Sequence, residues 1–279
     1  MTGSWICEKH TEGYAVKWKI KDILHEEQTR YQKLAVVDTL EWGKALLLDD
    51  ALQISEKDEF IYHEMISHVG MCTHPCPERV LIIGGGDGGT LREVLKHQQL
   101  NAVDLVEIDE RVVENSKRFF PAISCGFTDR RLNLHIADGV HFVKETSFRY
   151  DVIIVDSSDP LGPATPLFNL EFYQDVYKIL KADGLLVVQS ESPIFYGEVF
   201  RSVYRQINTV FPLTRVFLVP IATYVSGPWS FTMGSKKYNP RELAKKPADL
   251  GYLKYYNEGI HRAAFCLPPY IKEMILSVR

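Results

Sequence analysis

Residues 79–89, which read RVLIIGGGDGG, decide the fold of this chain. The apolar run 80–83 shows no polar alternation, which is typical of a strand buried on both faces of a parallel sheet. Six residues follow, five of them glycine, and a helical pattern begins at Thr90. Because glycine lets the backbone turn sharply and approach a ligand closely, this order of strand, turn and helix predicts a nucleotide pocket.

The glycines of the turn have a spacing that is common in nucleotide sites. Gly84, Gly86 and Gly89 fit the pattern G-x-G-x-x-G, and the first two are expected to contact a nucleoside. Alone this spacing is weak, since a glycine-rich turn after a strand is often only a turn. Glu107 strengthens it, because it ends the next apolar run, eighteen residues after Gly89, where a carboxylate can accept both ribose hydroxyls. The alternative is a solvated carboxylate at a strand end.

The charge of Asp87, inside the glycine turn, bears on the kind of ligand. A turn that cradles phosphate presents backbone N–H groups and a helix dipole to an anion. A carboxylate in that place repels phosphate and attracts a cation. The sequence therefore favours an adenosine with a positively charged tail, a sulfonium nucleoside, over NAD.

Length and composition predict a soluble globular protein. The 279 residues are 46% hydrophobic and 24% charged, with a formal net charge of −4, which suits a sizeable core and two domains. The mild acidity gives no reason to expect nucleic acid or an anionic membrane as a partner. Because apolar runs are short and the start lacks a signal-peptide core, we expect a cytoplasmic protein whose five scattered cysteines are free thiols.

The first part of the chain differs in pattern from the rest. Residues 1–54 carry strand-like runs at 14–20, 31–37 and 45–48, separated by turn signals and without a long helical pattern. We expect a small all-β domain of two or three hairpins, which caps the larger domain or forms an oligomer interface. Residues 55–279 are expected to form that larger domain.

A helix opens the second domain. Ser55 is predicted as its N-cap, with Asp58 three residues on completing a variant of the capping box. Apolar residues at helical spacing form its buried stripe: Tyr62, Met65, Ile66 and Val69. His63 lies beside that stripe, where a lone histidine is by default a packed or surface residue.

From residue 79 onward, strand and helix patterns alternate. Strands are predicted at 80–83, 103–107, 132–137, 152–156 and 185–189, and helices at 89–98, 110–119, 139–146, 169–180 and 194–210. This alternation predicts an α/β fold whose parallel sheet has helices on both faces. Two further runs, 214–220 and 229–234, are joined by a short loop and predict an antiparallel pair at the sheet edge.

Acidic residues follow the first four of these strands, at the edge where parallel sheets bind ligands. Besides Asp87 and Glu107 they are Asp138 and Asp156. Asp138 is expected to hydrogen-bond the exocyclic amine of adenine, with Gly139 leaving room for the ring. A helix N-cap role for Asp138 is an open alternative, compatible with the first.

The fourth strand end holds the most candidate residues. Asp156, Ser157, Ser158 and Asp159 leave the strand together, ahead of a loop of proline and glycine that could act as a lid. Turn formation alone would explain Asp159. It does not explain Asp156, which directly follows an apolar strand and, partly desolvated, could serve as a base. Tyr224, between the last two strands, either closes the pocket from the far side or is an ordinary loop residue.

These motifs resemble those of a known family. They read YHEM at 62–65, GGGDGG at 84–89, VEID at 106–109, DSSDPLGPA at 156–164 and ATY at 222–224. Over nearly its whole length the chain resembles the polyamine aminopropyltransferases, most closely those that make spermidine. The resemblance implies a methyltransferase-like, doubly wound Rossmann-like domain behind the small N-terminal β domain. It also implies transfer of the aminopropyl group of decarboxylated S-adenosylmethionine to putrescine, giving spermidine and methylthioadenosine.

The resemblance further implies roles for single residues. The residues implied to contact the nucleoside are Gln32, Glu107, Asp138, Gly139 and Pro163. The aminopropyl and amine groups lie among Tyr62, His63, Asp87, Ser157, Ser158, Asp159 and Tyr224, with Asp156 as the proton acceptor. Decarboxylated S-adenosylmethionine is then a co-substrate, no cofactor or metal ion is expected, and the family suggests homodimers or homotetramers.

The chemistry agrees with these residue types. The electrophile is the methylene carbon beside the sulfonium, and the neutral thioether leaves without an acid or a metal. The amine, with a pKa of about 10.4, has no lone pair at neutral pH, so a nearby carboxylate must take its proton. Asp159 would hold the diamine, and Asp87 would repel the carboxylate of full S-adenosylmethionine.

Two other functions stay open at this point. A putrescine N-methyltransferase has very similar motifs and uses full S-adenosylmethionine. A non-catalytic module would use the carboxylates only to hold a polyamine. The acceptor also stays open, because cadaverine, agmatine or spermidine would need only a longer or wider channel than putrescine.

Overall fold

Two β-sheets organise the computed structural model of this chain, which describes residues 4–158, 162–224 and 227–276, apart from the side chains of residues 162, 163, 248 and 249. The first sheet has five strands in chain order: β1 (Trp5–Thr11), β2 (Tyr14–Gln28), β3 (Lys33–Thr39), β4 (Lys44–Leu48) and β5 (Ala51–Ser55). Each strand pairs antiparallel with the next. The predicted all-β character of this part of the chain is confirmed.

The second sheet has seven strands. They are β6 (Arg79–Gly84), β7 (Ala102–Glu107), β8 (Leu132–Ile136), β9 (Tyr150–Asp156), β10 (Leu180–Gln189), β11 (Leu213–Pro220) and β12 (Pro228–Ser235). Their spatial order is β11-β12-β10-β9-β6-β7-β8. Strands β6 to β10 are parallel to one another, whereas β12 is antiparallel to both β10 and β11. The predicted doubly wound, mostly parallel sheet with an antiparallel pair at one edge is therefore confirmed.

Eight α-helices lie in the described part of the chain. They are α1 (Glu59–Thr73), α2 (Gly89–Leu95), α3 (Glu110–Phe119), α4 (Gly139–Glu145), α5 (Leu170–Ile179), α6 (Gly197–Val210), α7 (Glu258–Ala264) and α8 (Pro269–Leu276). The predictions of α2 to α6 are correct to within a few residues at each end. Helices α7 and α8 follow the last strand, in a part of the chain where the sequence analysis predicts no element.

The apolar runs of the central strands explain why they lie in the middle of the sheet. In β6, Val80 and Ile82 enter the apolar core on one face, whereas Leu81 and Ile83 enter the core on the other. All four are at most 1% exposed, so a strand without polar alternation is buried on both sides. Burial of each such side chain contributes roughly 1.5–3 kcal/mol.

The start of α1 differs from the prediction. Ser55 ends β5, where it pairs with Ala45, and the residue before the helix is Asp58. The predicted N-cap is therefore wrong, because the strand pairing takes Ser55 and its hydroxyl donates to Asp58 Oδ1 at 2.7 Å instead. The predicted stripe of α1 is buried, but so are thirteen of its fifteen residues, since the helix lies inside the protein.

The N-terminal sheet packs on α3 and so closes over one side of the larger sheet. Leu34, Val36 and Leu46 share one apolar cluster with Val112 and Phe120. This contact brings the loop between β2 and β3 to the carboxyl end of β7. Within the described residues, every helix is too short or too polar to span a membrane.

Candidate active site

A cleft of about 1010 Å³, counted to its open mouth, lies at the carboxyl ends of β6, β7, β8 and β9. It is lined by every residue proposed from the sequence whose side chain the structure describes: Gln32, Tyr62, His63, Gly84, Gly86, Asp87, Glu107, Asp138, Gly139, Asp156, Ser157, Ser158 and Tyr224. Asp159 lies outside the described residues, and so does the side chain of Pro163. The structure thus brings residues from four strand ends of the larger sheet, from α1, from the loop after β11 and from the N-terminal domain to one cavity.

The glycine turn after β6 is packed tightly against its neighbours. Gly84 has φ +81°, and a Cβ there would lie 2.1 Å from the carbonyl oxygen of Asp156. A Cβ on Gly86 would lie 2.7 Å from Glu107 Oε2. Glycine is therefore required at both positions, because the turn must pass between the ends of β7 and β9 to reach the cleft.

Glu107, at the end of β7, is held by backbone groups. Its Oε2 accepts from Gly86 N at 3.1 Å and its Oε1 from Asp109 N at 2.9 Å. Burial raises the pKa of Glu107 to about 7, although the backbone N–H groups oppose that rise. A carboxylate has about four acceptor positions, so these bonds leave room for two hydroxyl donors.

Asp109 is a residue of this cleft region that the sequence analysis did not single out. As the N-cap of α3 it accepts from Arg111 N at 3.1 Å, while its Oδ2 accepts from Thr29 Oγ1 at 2.7 Å and Gln32 Nε2 at 3.1 Å. These bonds fix Gln32, from the N-terminal sheet, beside the end of β7. A signal was present, since Asp109 ends the VEID segment and precedes a helical pattern.

Asp138 caps α4 and also lines the cleft. Its Oδ1 accepts from Val140 N at 2.7 Å and His141 N at 3.3 Å. The N-cap alternative is confirmed, and it leaves the second oxygen available to a ligand. For Gly139 the structure adds a packing reason, because a Cβ there would lie 2.5 Å from Ile83 Cγ2.

Asp156 ends β9 with both carboxylate oxygens occupied by hydroxyl donors. Tyr62 Oη donates to Oδ1 at 2.7 Å, and Thr90 Oγ1 donates to Oδ2 at 2.6 Å. Burial, with the charge of Asp87, raises the pKa of Asp156, while His63 and the two hydroxyls oppose the rise. Thr90 was not predicted as a site residue, although it directly follows the glycine turn. The arrangement suits a carboxylate that accepts a proton.

His63 is buried between two carboxylates. Its Nδ1 lies 2.6 Å from Glu59 Oε2, and its Nε2 lies 3.2 Å from Asp87 Oδ1. Burial lowers its pKa, but the two carboxylates outweigh it and raise the pKa of His63 to about 10. His63 is thus packed, as its default interpretation allowed, but its raised pKa makes it a cation at neutral pH rather than an ordinary packed histidine.

The polar atoms of His63, Asp87 and Asp156 all lie within 4.8 Å of one another, a spacing that could hold a metal ion. A histidine binds a metal through a ring nitrogen lone pair. Each ring nitrogen of His63 faces a carboxylate oxygen, and the raised pKa of the ring favours a proton on both nitrogens, which a metal ion would have to displace.

Tyr224 lies across the cleft from the strand ends. Its hydroxyl donates to Gln53 O at 2.7 Å, and its ring centre is 5.6 Å from that of Tyr62. Its loop is tied to the start of α1, because Thr223 N donates to Asp58 Oδ2 at 2.9 Å. The position of Tyr224 beside Tyr62 therefore depends on a contact between residues far apart in sequence.

A second cavity continues from the first. The two share Gln53, Tyr62, Ser157, Ser158 and Tyr224. The second is also lined by Glu8, His10, Gln189, Tyr196 and Trp229. Glu8 is 7% exposed and accepts from Trp18 Nε1 at 3.0 Å and Leu52 N at 3.2 Å. The sequence analysis missed Glu8, because a polar residue in an alternating edge strand carries no local signal.

Comparisons with known proteins agree with this architecture. Two family models match the chain, one described as spermine/spermidine synthase domain over residues 59–245 and one as spermidine synthase tetramerisation domain over residues 4–56. The polyamine aminopropyltransferase of Moorella thermoacetica is 48% identical over 275 residues, covering 99% of this chain and 97% of that protein. That of Methanocaldococcus jannaschii is 45% identical over 277 residues, covering 97% and 94%.

Solved structures show the same fold. A spermidine synthase in complex with the transition-state analogue AdoDATO superposes with a TM-score of 0.93 at 40% identity, covering 99% of this chain and 96% of that one. The spermidine synthase from Thermotoga maritima gives a TM-score of 0.90 at 38% identity, covering 99% and 95%. The chain therefore belongs to the spermine/spermidine synthase family of polyamine aminopropyltransferases.

Proposed function

We propose that this aminopropyltransferase uses decarboxylated S-adenosylmethionine and putrescine, and releases spermidine and methylthioadenosine. The observation that carries the proposal is the setting of Asp156, a buried carboxylate beside residues common to two joined cavities. One cavity has the glycine turn and Glu107, which suit a nucleoside. The other has Glu8 among aromatic rings, which suits a short chain ending in an ammonium group.

In the proposed reaction, Asp156 takes a proton from the attacking amine. The nitrogen lone pair forms a bond to the methylene carbon of the aminopropyl group as the C–S bond breaks. The C–S electron pair goes to sulfur, which turns the sulfonium into a neutral thioether. The raised pKa of Asp156 supports this role, because a more basic carboxylate accepts the proton of an ammonium more readily.

The nucleoside would bind with its ribose at Glu107 and its adenine near Asp138, and Gln32 and Pro163 would contribute further contacts. Asp87 would hold the ammonium of the aminopropyl tail. Burial raises the pKa of Asp87, but His63 and the Gly89 N–H outweigh it and lower that pKa, so the carboxylate is ionised at neutral pH. Its charge would attract the decarboxylated tail and repel the carboxylate of full S-adenosylmethionine.

The amine acceptor would lie between Asp156 and the second cavity. Tyr62 and Tyr224 offer ring faces to its methylene chain, and Ser157 Oγ is buried without a hydrogen-bond partner among the described residues. Asp159 would bind its nearer ammonium, and Ser158 lies at the same mouth. Glu8 would attract the distant ammonium, which favours a diamine over a monoamine.

A substrate panel tests the proposal. The protein is incubated with decarboxylated or full S-adenosylmethionine and with putrescine, cadaverine, agmatine or spermidine. The masses of the products are then measured by mass spectrometry. We expect one aminopropyl unit gained, fastest on putrescine. A methyl gain would identify an N-methyltransferase, a faster reaction on another amine would replace putrescine, and binding without turnover would identify a non-catalytic module.

We further propose that the chain assembles as a homodimer or homotetramer through its N-terminal sheet. That sheet carries the large exposed apolar side chains Trp5, Ile23 and Leu24, and Leu40 follows β3. Apolar surface of this kind favours association. The match to the tetramerisation model over residues 4–56 supports the same surface. Light scattering on the purified protein tests this, and a monomer at micromolar concentration would refute it.

A further inference from the structure

Four side chains of alternating charge lead from the protein surface to the aminopropyl end of the cleft. Arg92 of α2 pairs with Glu59 of α1 through two hydrogen bonds, at 3.0 Å and 2.8 Å. Glu59 contacts His63, and His63 contacts Asp87. Glu59 and His63 are almost fully buried, Asp87 is partly exposed to the cleft, and Arg92 is partly exposed at the other end.

The geometry of His63 favours two ring protons, because both of its nitrogens lie close to carboxylate oxygens. A neutral imidazole has one N–H and one lone pair, so one of its two contacts would set a lone pair against a carboxylate oxygen. Both contacts are attractive only when both nitrogens donate. Burial raises the pKa of Glu59, but the imidazolium of His63 and, after it, the guanidinium of Arg92 outweigh burial and lower that pKa, so Glu59 stays ionised.

The glycine turn is shaped around this histidine. A Cβ on Gly89 would lie 2.2 Å from His63 Cε1, so the turn passes directly over the ring. Gly89 N also donates to Asp87 Oδ1 at 2.6 Å, the same oxygen that faces His63 Nε2. One oxygen of Asp87 is thus engaged by two donors, while the other is left for a ligand in the cleft.

A fixed cation solves a problem of this site. Asp87 and Asp156 have carboxylate oxygens within 4.8 Å of one another, so without the cation each carboxylate would raise the pKa of the other. One of the two would then be ionised less readily, either Asp87 as the amine anchor or Asp156 as the base. The carboxylates of Glu59 and Asp87 contact the ring nitrogens of His63 and raise its pKa. The charged groups next to them are Asp156 and Arg92, and the neutral ring of Tyr62 packs edge-on against the imidazole.

We infer that Glu59 and Arg92 are positioning residues for the aminopropyl site, which hold His63 as a doubly donating cation and so fix Asp87 as an ionised, oriented anchor for the substrate ammonium. This inference rests on the proposed function for the identity of that ammonium. The charge and placing of His63 themselves are independent of the substrate.

The variant Glu59→Gln tests the inference, because the amide can still accept from Nδ1 but lacks the charge. We expect the NMR titration of the His63 ring protons to move from about pH 10 to between about pH 6 and 8. The Kd for decarboxylated S-adenosylmethionine then rises about tenfold at about pH 8.5 and recovers at about pH 6, where His63 is protonated again. Methylthioadenosine, which has no ammonium, keeps its affinity at both pH values.

Glu93→Gln is the matched control. Glu93 also accepts from Arg92, at 2.8 Å, but its other partners are His68 and Lys96 rather than His63. We expect this variant to keep the parent titration of His63 and the parent pH dependence of nucleoside binding. A merely structural role for Glu59 would weaken both nucleosides equally at every pH, and that result would overturn the inference.

The parent protein provides a second measurement that needs no variant. Without substrate, the His63 ring should stay protonated through about pH 9. Titration near its ordinary value of 6.5 would overturn the inference, whatever reaction the protein catalyses. If His63 titrates as expected but decarboxylated S-adenosylmethionine does not bind, the proposed function fails and only the identity of the anchored group is lost.

Discussion

Asp156 shows how one position combines several physical effects. Its place after an apolar strand buries it, the neighbouring carboxylate of Asp87 raises its pKa, and two hydroxyls hold its oxygens. The sequence predicted the first effect, because the strand and its last residue are adjacent in the chain. It gave no sign that Tyr62 and Thr90, 94 and 66 residues away, donate to the same carboxylate.

The first prediction concerns replacement of the Asp156 carboxylate by an amide of equal size. In Asp156→Asn, kcat should fall about 10²- to 10⁴-fold, because an amide cannot take a proton from the amine. Affinity for methylthioadenosine, measured by calorimetry, should change little. Full turnover in this variant would remove Asp156 as the base.

Removal of one hydroxyl donor tests how the base is tuned. In Thr90→Val, the bond to Asp156 Oδ2 is lost and the carboxylate is less stabilised, so the pKa of Asp156 rises further. Since the base must be ionised, activity is lost as pH falls through that pKa. The acidic limb of kcat/KM should therefore move to higher pH by roughly one unit. Thr90→Ser, which keeps the donor, should retain the parent profile, and an unmoved limb in the valine variant would contradict this assignment.

At the scale of elements, hydrogen bonds between the start of α1 and the loop after β11 fix the position of Tyr224. Asp58 accepts from Thr223 N and Thr223 Oγ1 and from the hydroxyl of Ser55. The chain thus uses Asp58 to tie a distant loop rather than to cap its own helix, which has no side-chain cap bond. This use of Asp58 is the physical reason why the predicted capping box was wrong.

Loss of the hydrogen bonds between Asp58 and Thr223 should weaken binding of the amine more than binding of the nucleoside. In Asp58→Ala, the KM for the amine should rise about tenfold, while methylthioadenosine affinity stays near that of the parent. Stability should fall by about 2 kcal/mol, because buried donors lose their acceptor. Ser55→Ala removes one donor but leaves the tie to Thr223, so its amine KM should be unchanged. Equal loss of both affinities in Asp58→Ala would show a general distortion of the cleft instead.

At the scale of the whole molecule, the cleft exists because two sheets meet. Gln32 and Glu8 come from the N-terminal sheet, whereas Asp87, Glu107 and Asp156 come from the larger one. The apolar contacts of the first sheet with α3, together with the bonds of Thr29 and Gln32 to Asp109, hold the two sheets together. Assembly of the site and folding of the chain are therefore coupled.

The buried imidazolium of His63 should make the free energy of unfolding depend on pH above neutrality. His63 binds a proton up to a pKa of about 10 in the folded protein, but only up to 6.5 in the unfolded chain. The folded state therefore holds more protons in that window, and the free energy of unfolding should fall as pH rises from 6.5 to about 10. Denaturant titrations at both ends of the window measure this fall. His63→Gln should show a smaller fall over the same range, and an identical slope in both proteins would contradict the charged state of His63.

The sequence by itself determined the order of elements and the strand ends that face the cleft. Apolar runs, glycine turns and acidic strand ends are local patterns, and each is read within about ten residues of chain. Asp87, Glu107, Asp138 and Asp156 all follow predicted strands, and all four line the cleft.

Only the tertiary structure decided which side chains pair across the chain. Glu59 meets Arg92 across 33 residues, Gln32 meets Asp109 across 77, and Asp58 meets Thr223 across 165. These pairs depend on how helices and sheets pack, and no local periodicity encodes that packing. The charge of His63 is decided in the same way, because it arises from carboxylates that folding brings to both sides of one ring.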